Sequence, residues 1–513
     1  MLSKKNLNLK AQLVDFDKKI KNGESSEVFY NCKNLNSSTI PRELLVDYCD
    51  IARRIGRPSL IIRWLRPIIR SEVPISPPVS YYEQSMYVQG LIRLGGFNEA
   101  NKIIKSISQN QNITIDDNIY FLKASFFINQ WDYKRAIPCL KKVLKSQRIS
   151  YYNKLVSRLN LCASFAAIDN YIKAEKEIDS FEKILNFTKN RGKFNLLLGN
   201  LYEIKGQVYL NTSRFDKALN SFQKSLELLN RADGRGVINA EKWQTIIKIK
   251  NSKNDHDLQA SIQVLLGLRT KAINLEYWEA VREIDFQIAY ETNNVELFWK
   301  VYWSSRFISY KSRIYKLFNS KIDLKATDQN KKNFIWFSDF KYNKGIPTID
   351  FSKLTNSKII KRIFFCFTLD FYRPIRIIEV FDLIYSNEYY NPITSPMKVY
   401  KLIAKARIIL IKNKIPIAIN RTKFGFKLDF LSPVNILLTN RMLTNSHNTF
   451  NLIDDHLINL KHFTFKDYQN HFNYSPRTAR RKLDILIKEK LITKLKFRSN
   501  PTFIPTVKLK KNF

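Results

Sequence analysis

Along the first three fifths of the chain, apolar positions recur at i, i+3, i+4 and i+7 between short polar turns, the period of helices that each bury one face. One stretch carries more than amphipathicity: Leu201-Tyr-Glu-Ile-Lys-Gly206-Gln-Val-Tyr209, then Phe215, Ala218, Phe222 and Ser225. Small residues at Gly206 and Ala218 allow two antiparallel helices to approach closely, while Tyr209 and Phe222 fill the space beside them. Weaker copies follow the same frame. Ala124, Phe127, Tyr133, Ala136, Leu140 and Val143 form one, and Cys162, Phe165, Tyr171, Ala174, Ile178 and Phe181 another. Leu91, Gly95, Phe97, Ala100 and Ile104 give a third, with a degenerate copy around Ile51, Gly56 and Leu60 and a late one at Tyr277, Ala280 and Ile284. The anchor thus recurs at Leu60, Ala100, Ala136, Ala174, Ala218 and Ala280, at spacings of 40, 36, 38, 44 and 62. The last interval is long enough to hide an insertion or a decayed repeat around 231–256.

This frame resembles the tetratricopeptide repeat. The resemblance implies an α-solenoid over 41–317 behind an N-terminal extension or cap at 1–40. Its repeat-packing residues would be Ala100, Ala136, Ala174, Gly206, Tyr209, Ala218, Phe222 and Ala280. Stacked hairpins bury a continuous core and present a concave surface, which implies recognition of a protein, a peptide or a small-molecule effector. The Pro-rich run Val73–Val79 is expected to separate two hairpins.

The pattern then changes. Residues 318–350 are polar, Lys- and Asn-rich and aperiodic, and read as a linker. Helices are expected over Lys353–Phe367 and Pro374–Ile384, and a third from Ser395 and Pro396, with Ser395 as N-cap and Pro396 in the first turn. Val399, Ile403, Ala406 and Leu410 define its buried stripe, with Lys401, Lys405 and Lys412 roughly opposite and Lys398 in its first turns. The alternating segment Ile417–Phe430, with Gly425 near its centre and Arg421 and Lys423 before it, suits a β-hairpin. Helix, helix, basic helix and hairpin resemble the effector domain of OmpR-type response regulators over 351–430. That implies a winged helix in which Lys398, Lys401, Lys405, Lys412, Arg421 and Lys423 face duplex DNA. No phosphoacceptor residue is present, so phosphorelay control is not implied.

A second candidate occupies 431–513. A short helix around Phe463–Gln469 and a turn through Asn473-Tyr474 lead to Ser475-Pro-Arg477-Thr478-Ala479-Arg480-Arg481-Lys482-Leu483. Ser475 repeats the N-cap chemistry, and Ala479, Leu483, Leu486 and Ile487 form the buried stripe. This run, followed by a basic strand pair, resembles the helix-turn-helix of DeoR-like bacterial repressors. Carried over, Ser475, Arg477, Thr478, Arg481 and Lys482 would face the groove, and Lys494, Lys496 and Arg498 would lie in the wing.

Charge sharpens this division. The chain of 513 residues has 86 Lys and Arg against 45 Asp and Glu, net +41. Residues 301–513 hold 40 of the bases and only 14 of the acids, which marks a polyanion-binding end. Five dispersed cysteines lack any metal-ligand or C-x-x-C spacing, and read as reduced thiols in a cytoplasmic protein. No apolar run reaches membrane-spanning length. Phosphate-binding Gly loops, nucleophile motifs and zinc motifs are missing, and His447, His456, His462 and His471 share no helical face. No catalytic residue, metal or cofactor is therefore expected. Taken together, the chain reads as mainly α: a tetratricopeptide-like solenoid followed by two small winged-helix domains, in a non-enzymatic, bacterial, DNA-binding regulator. Two other readings stay open: an adaptor whose winged helices contact protein, and a sequence-independent nucleic-acid binder.

Overall fold

A computed structural model describes residues 4–21, 24–35, 38–73, 76–109, 118–186, 194–229, 234–252, 254–322, 324, 334–337, 345–438, 462–472, 474–488, 492–495 and 502–505. The chain divides into two compact units, Met1–Leu438 and Thr439–Phe513.

The first unit is dominated by helices. Two N-terminal helices, α1 (Lys4–Lys21) and α2 (Ser25–Cys32), precede a stack of hairpins: α3 (Arg42–Arg54) with α4 (Pro58–Ile69), α5 (Tyr81–Leu94) with α6 (Phe97–Gln109), and α7 (Asn118–Ile128) with α8 (Tyr133–Lys145). The stack continues through α9 (Tyr151–Ala167) with α10 (Tyr171–Asn186), α11 (Asn195–Asn211) with α12 (Phe215–Leu229), and α13 (Gly234–Lys250) with α14 (Asp255–Asn274). It ends in α15 (Trp278–Glu291), α16 (Val295–Trp303) and α17 (Ile308–Asn319). The long interval between Ala218 and Ala280 thus holds one more hairpin, α13–α14.

Seven of the inter-helix turns close by the same backbone device. Gly56, Gly95, Trp131, Asp169, Ser213, Glu276 and Asn293 adopt positive φ between 54° and 89° in seven inter-helix turns. The next amide then donates back five residues, as in Asp132 N to Phe127 O at 2.9 Å, Asn170 N to Phe165 O at 2.9 Å and Arg214 N to Tyr209 O at 2.8 Å. This is the Schellman closure, which satisfies carbonyls orphaned at a helix end. Side chains secure several N-termini: Ser80 and Glu83 form a reciprocal capping box on α5, and Asp132, Ser150, Asn254 and Asn294 cap α8, α9, α14 and α16. Ala100, Ala136, Ala174, Ala218, Ala280 and Phe222 are buried, and Tyr209 is partly buried. Gly206 lies against the Phe222 ring.

The stack does not stay open. Trp131, in the α7–α8 turn, stacks on Phe307 before α17 at 5.0 Å between ring centres, and Arg313 of α17 pairs with Asp169 of the α9–α10 turn at 3.4 Å. The late helices therefore pack back on earlier turns.

Beyond α17, strands β1 (Phe334–Phe337) and β2 (Thr348–Ile349) lie inside the stretch that reads as a linker. They flank β5 (Asn435–Leu438), antiparallel and parallel respectively. Between them come α18 (Lys358–Thr368), α19 (Ile377–Ile384), α20 (Ser395–Lys412) and an antiparallel hairpin of β3 (Ile417–Arg421) and β4 (Phe426–Phe430). Two helices start later than their apolar pattern suggests. Ser352 turns back on Asp350, which holds Phe351 stacked on Phe364 at 4.7 Å, and α18 begins only at Lys358. Ile375 is drawn into a bridge with Phe426, donating and accepting at 2.8 and 2.9 Å, so α19 begins at Ile377.

The second unit contains β6 (Phe463–Thr464), α21 (Phe465–Phe472), α22 (Pro476–Lys488), β7 (Ile492–Leu495) and β8 (Thr502–Pro505). Its antiparallel sheet has the order β6-β8-β7. Phe463, Tyr468, Ala479, Leu483, Leu486, Ile492 and Phe503 form the core.

Candidate functional site

Helix α20 is anchored at its start by a tight polar turn. Asn391 Oδ1 accepts from Ile393 N at 2.8 Å, and Ser395 Oγ accepts from Asn391 N at 2.8 Å. Ser395, expected as the N-cap, is instead the first helical residue; Thr394 takes the cap position without a side-chain bond. Val399, Ile403, Ala406 and Leu410 are buried as their spacing predicts. Lys398, Lys401, Lys405 and Lys412 are exposed, as are Arg421 and Lys423 on the hairpin. Lys398 pairs with Glu388 at 2.6 Å. Arg407 donates from Nε and Nη2 to Ile419 O at 2.9 and 2.6 Å and so fastens the hairpin to the helix. A β-carbon on Gly425 would overlap Ile375 O, so only glycine lets the hairpin tip reach that bridge.

In the second unit, Ser475 Oγ accepts from Thr478 N at 3.4 Å at the start of α22. Ala479, Leu483 and Leu486 are buried, while Ser475, Arg477, Arg481 and Lys494 are exposed and Thr478 is half-buried. Lys482 is held: its Nζ donates to Tyr474 Oη at 2.8 Å and lies over that ring at 4.2 Å. Lys496, Arg498, His447 and His456 lie outside the described residues. Among the described residues no group of His, Cys, Asp and Glu is placed to hold a metal, and no helix is long and apolar enough to cross a membrane.

A third assembly, invisible to sequence patterns, fixes the α18–α20 segment to the solenoid. At one end Asp382 of α19 accepts from the amides of Asn98 and Glu99, at 2.9 and 3.1 Å, at the N-terminus of α6. Glu99 in turn accepts from Tyr390 N at 2.9 Å, Tyr87 Oη at 2.8 Å and Arg70 at 2.5 Å. At the other end Phe371 N donates to Ser304 O at 3.1 Å, and Tyr372 Oη donates to Asp285 of α15 at 3.0 Å. Arg282 of α15, buried among Trp131, Phe307, Tyr310 and Tyr372, binds both oxygens of Asp370 through Nη2 at 3.0 and 2.8 Å. Between these ends lies Glu379, 1% exposed, which accepts from Arg306 at 2.9 Å, Arg373 at 2.5 Å and the Arg376 amide at 3.1 Å. Nothing marks these acids in the sequence, because their partners stand up to about three hundred residues away.

Burial pushes the Asp382 carboxyl up to about 7, opposed by the two α6 amides and reinforced by Glu99. The folded protein then holds a proton that the unfolded chain releases near its ordinary value of about 4. This contribution to stability is full below about pH 4 and is lost as pH rises toward 7. Asp382→Asn is expected to flatten the fall in melting temperature between pH 5 and 8, removing a pH-dependent component on the order of 1–3 kcal/mol. An unchanged slope would show that Asp382 does not carry that proton.

The Tetratricopeptide repeat family profile matches residues 117–149 and 199–228. These spans cover the α7–α8 hairpin and most of α11–α12. No curated protein matches the chain. The repeat matches and the stacked helix hairpins together support a tetratricopeptide-like solenoid, a fold that suggests protein–protein interaction.

Proposed function

We propose that the protein is a DNA-binding transcription regulator of the cytoplasm, in which α18–α20 with the β3–β4 hairpin, and α21–α22 with β7–β8, act as winged helices. The observation that carries this reading is α22. Its back is sealed by Ala479, Leu483 and Leu486, while Arg477 and Arg481 stand exposed behind a Ser475 cap. A groove-reading helix requires a packed back and a donor-rich front. The same division into a buried and a cationic face recurs in α20. The solenoid supplies a surface for a protein or peptide partner, and its clasp on α19 gives such a partner a route to α20.

The test is a titration of the full-length protein with duplex DNA at several salt concentrations, beside an Arg477→Ala/Arg481→Ala variant. The variant is expected to bind at least about tenfold more weakly, with a shallower dependence of log affinity on log salt. Equal affinity of the two proteins, or no DNA affinity in either, would refute the assignment and favour an adaptor that uses these modules for protein contacts.

A further inference from the structure

The front of α20 is not simply basic. Met397, Ile408 and Ile411 are 55%, 63% and 77% exposed. At about 100° per residue they fall with exposed Ala404 along one line of the helix. Lys398, Lys401, Lys405 and Lys412 all fall along one edge of that line. The opposite edge carries Tyr400 and Arg407, where the hairpin docks. There Arg407 binds Ile419 O and Arg421 lies over the Tyr400 ring at 5.7 Å, bringing exposed Arg421 alongside. The result is an apolar ridge between two rows of cations. Helix α20 contains no acid, and Asn413, which follows it, donates to Ile409 O. Lys401, Lys405 and Lys412 have no ion-pair partner among the described residues.

We propose that this ridge reads thymine in the major groove of duplex DNA, an inference that rests on the DNA-binding reading above. Cations on both flanks suit the phosphate backbones on either side of a groove. The centre of the ridge offers methyl and methylene groups and lacks Asn, Gln, Asp, Glu or Arg to engage base edges bidentately. Of the groups on the groove floor, the thymine C5-methyl is the one such a surface contacts favourably. Ala404, the smallest member of the line, allows the helix to sit close to the bases. Base choice by α20 is therefore made through apolar contact, and its lysines supply affinity that is indifferent to sequence.

The experiment compares an A·T-rich duplex with the same duplex in which uracil replaces thymine, a change that removes only the methyl groups. Full-length protein in the Arg477→Ala/Arg481→Ala background lowers the contribution of α22, so that the readout falls mainly on α20. Uracil is expected to weaken binding about three- to tenfold. Ile408→Ala/Ile411→Ala should bind both duplexes alike, and Lys401→Ala/Lys405→Ala should weaken both equally. Equal binding of thymine and uracil duplexes, with the lysine variant still weakened, would overturn thymine reading and leave DNA binding standing. Loss of no DNA affinity in the lysine variant would instead remove α20 from the DNA interface. So would capture of the protein by phosphatidylserine vesicles, if the isoleucine variant abolished it, because the ridge would then be a membrane-surface contact.

Discussion

Glu379→Gln is expected to destabilise the first unit by about 3–5 kcal/mol, more than any exposed charge change in the chain. The side chain is nearly solvent-free and accepts from Arg306, Arg373 and the Arg376 amide. Glutamine keeps its size but exchanges one acceptor oxygen for an NH2 group, which then faces two guanidinium groups. Both arginines stay largely buried; Arg306 loses its carboxylate partner and Arg373 keeps only Asp370 at 3.6 Å, and leaving a buried cation without its partner is where breaking an ion pair costs most. Exposed pairs such as Lys398 with Glu388 are screened by solvent and contribute far less. Burial pushes the Glu379 carboxyl up, but Arg373, Arg306 and the Arg376 amide together outweigh it and hold it down, to about 2. Its contribution is therefore present above the ordinary carboxylate value and lost as pH falls through about 2. Urea unfolding of the full-length protein at neutral pH measures the effect. A change below about 1 kcal/mol would mean that water already reaches both arginines and that α19 is not seated on the solenoid as described.

Gly206→Val is expected to cost about 2–4 kcal/mol by overpacking the α11–α12 hairpin. A β-carbon there would lie 2.5 to 2.7 Å from three atoms of the Phe222 ring, which is itself fully buried. The second γ-methyl of valine closes the remaining escape. Gly206→Ala should be milder, because alanine recovers about 1 kcal/mol of helix propensity against the same clash. Phe222→Leu should rescue part of the loss, since it empties the space that the new side chain needs. If the double variant were no better than the sum of the two singles, the clash would lie elsewhere.

How much of this was legible depends on how far apart the interacting residues stand. The α11–α12 hairpin was plain because Gly206, Tyr209, Ala218 and Phe222 meet within one local motif, and the family matches at 117–149 and 199–228 fall on the two clearest copies. The turns were less plain. Five of the seven positive-φ positions carry Trp, Asp, Ser, Glu or Asn, so the usual glycine marker is missing and the turn is set by its backbone closure. Strands β1 and β2 are too short to show alternation, and they pair with β5 from about a hundred residues away. The clasp of Glu379, Asp382 and Asp370 reads in the sequence as ordinary solvated charge, because Arg306, the α6 amides and Arg282 come from remote repeats. On α20 the buried stripe and the lysines followed from helical spacing. The exposed apolar line did not, since Met397, Ile408 and Ile411 had no reason to be left outside until the positions of α18, α19 and the hairpin were known.

The most direct test of the central claim is selection of random duplex DNA by the full-length protein at near-physiological salt with excess competitor, run beside the Arg477→Ala/Arg481→Ala variant. Sequence-specific reading by α22 predicts a recovered motif that the variant loses. Uniform enrichment that salt erases, or no enrichment, would contradict it.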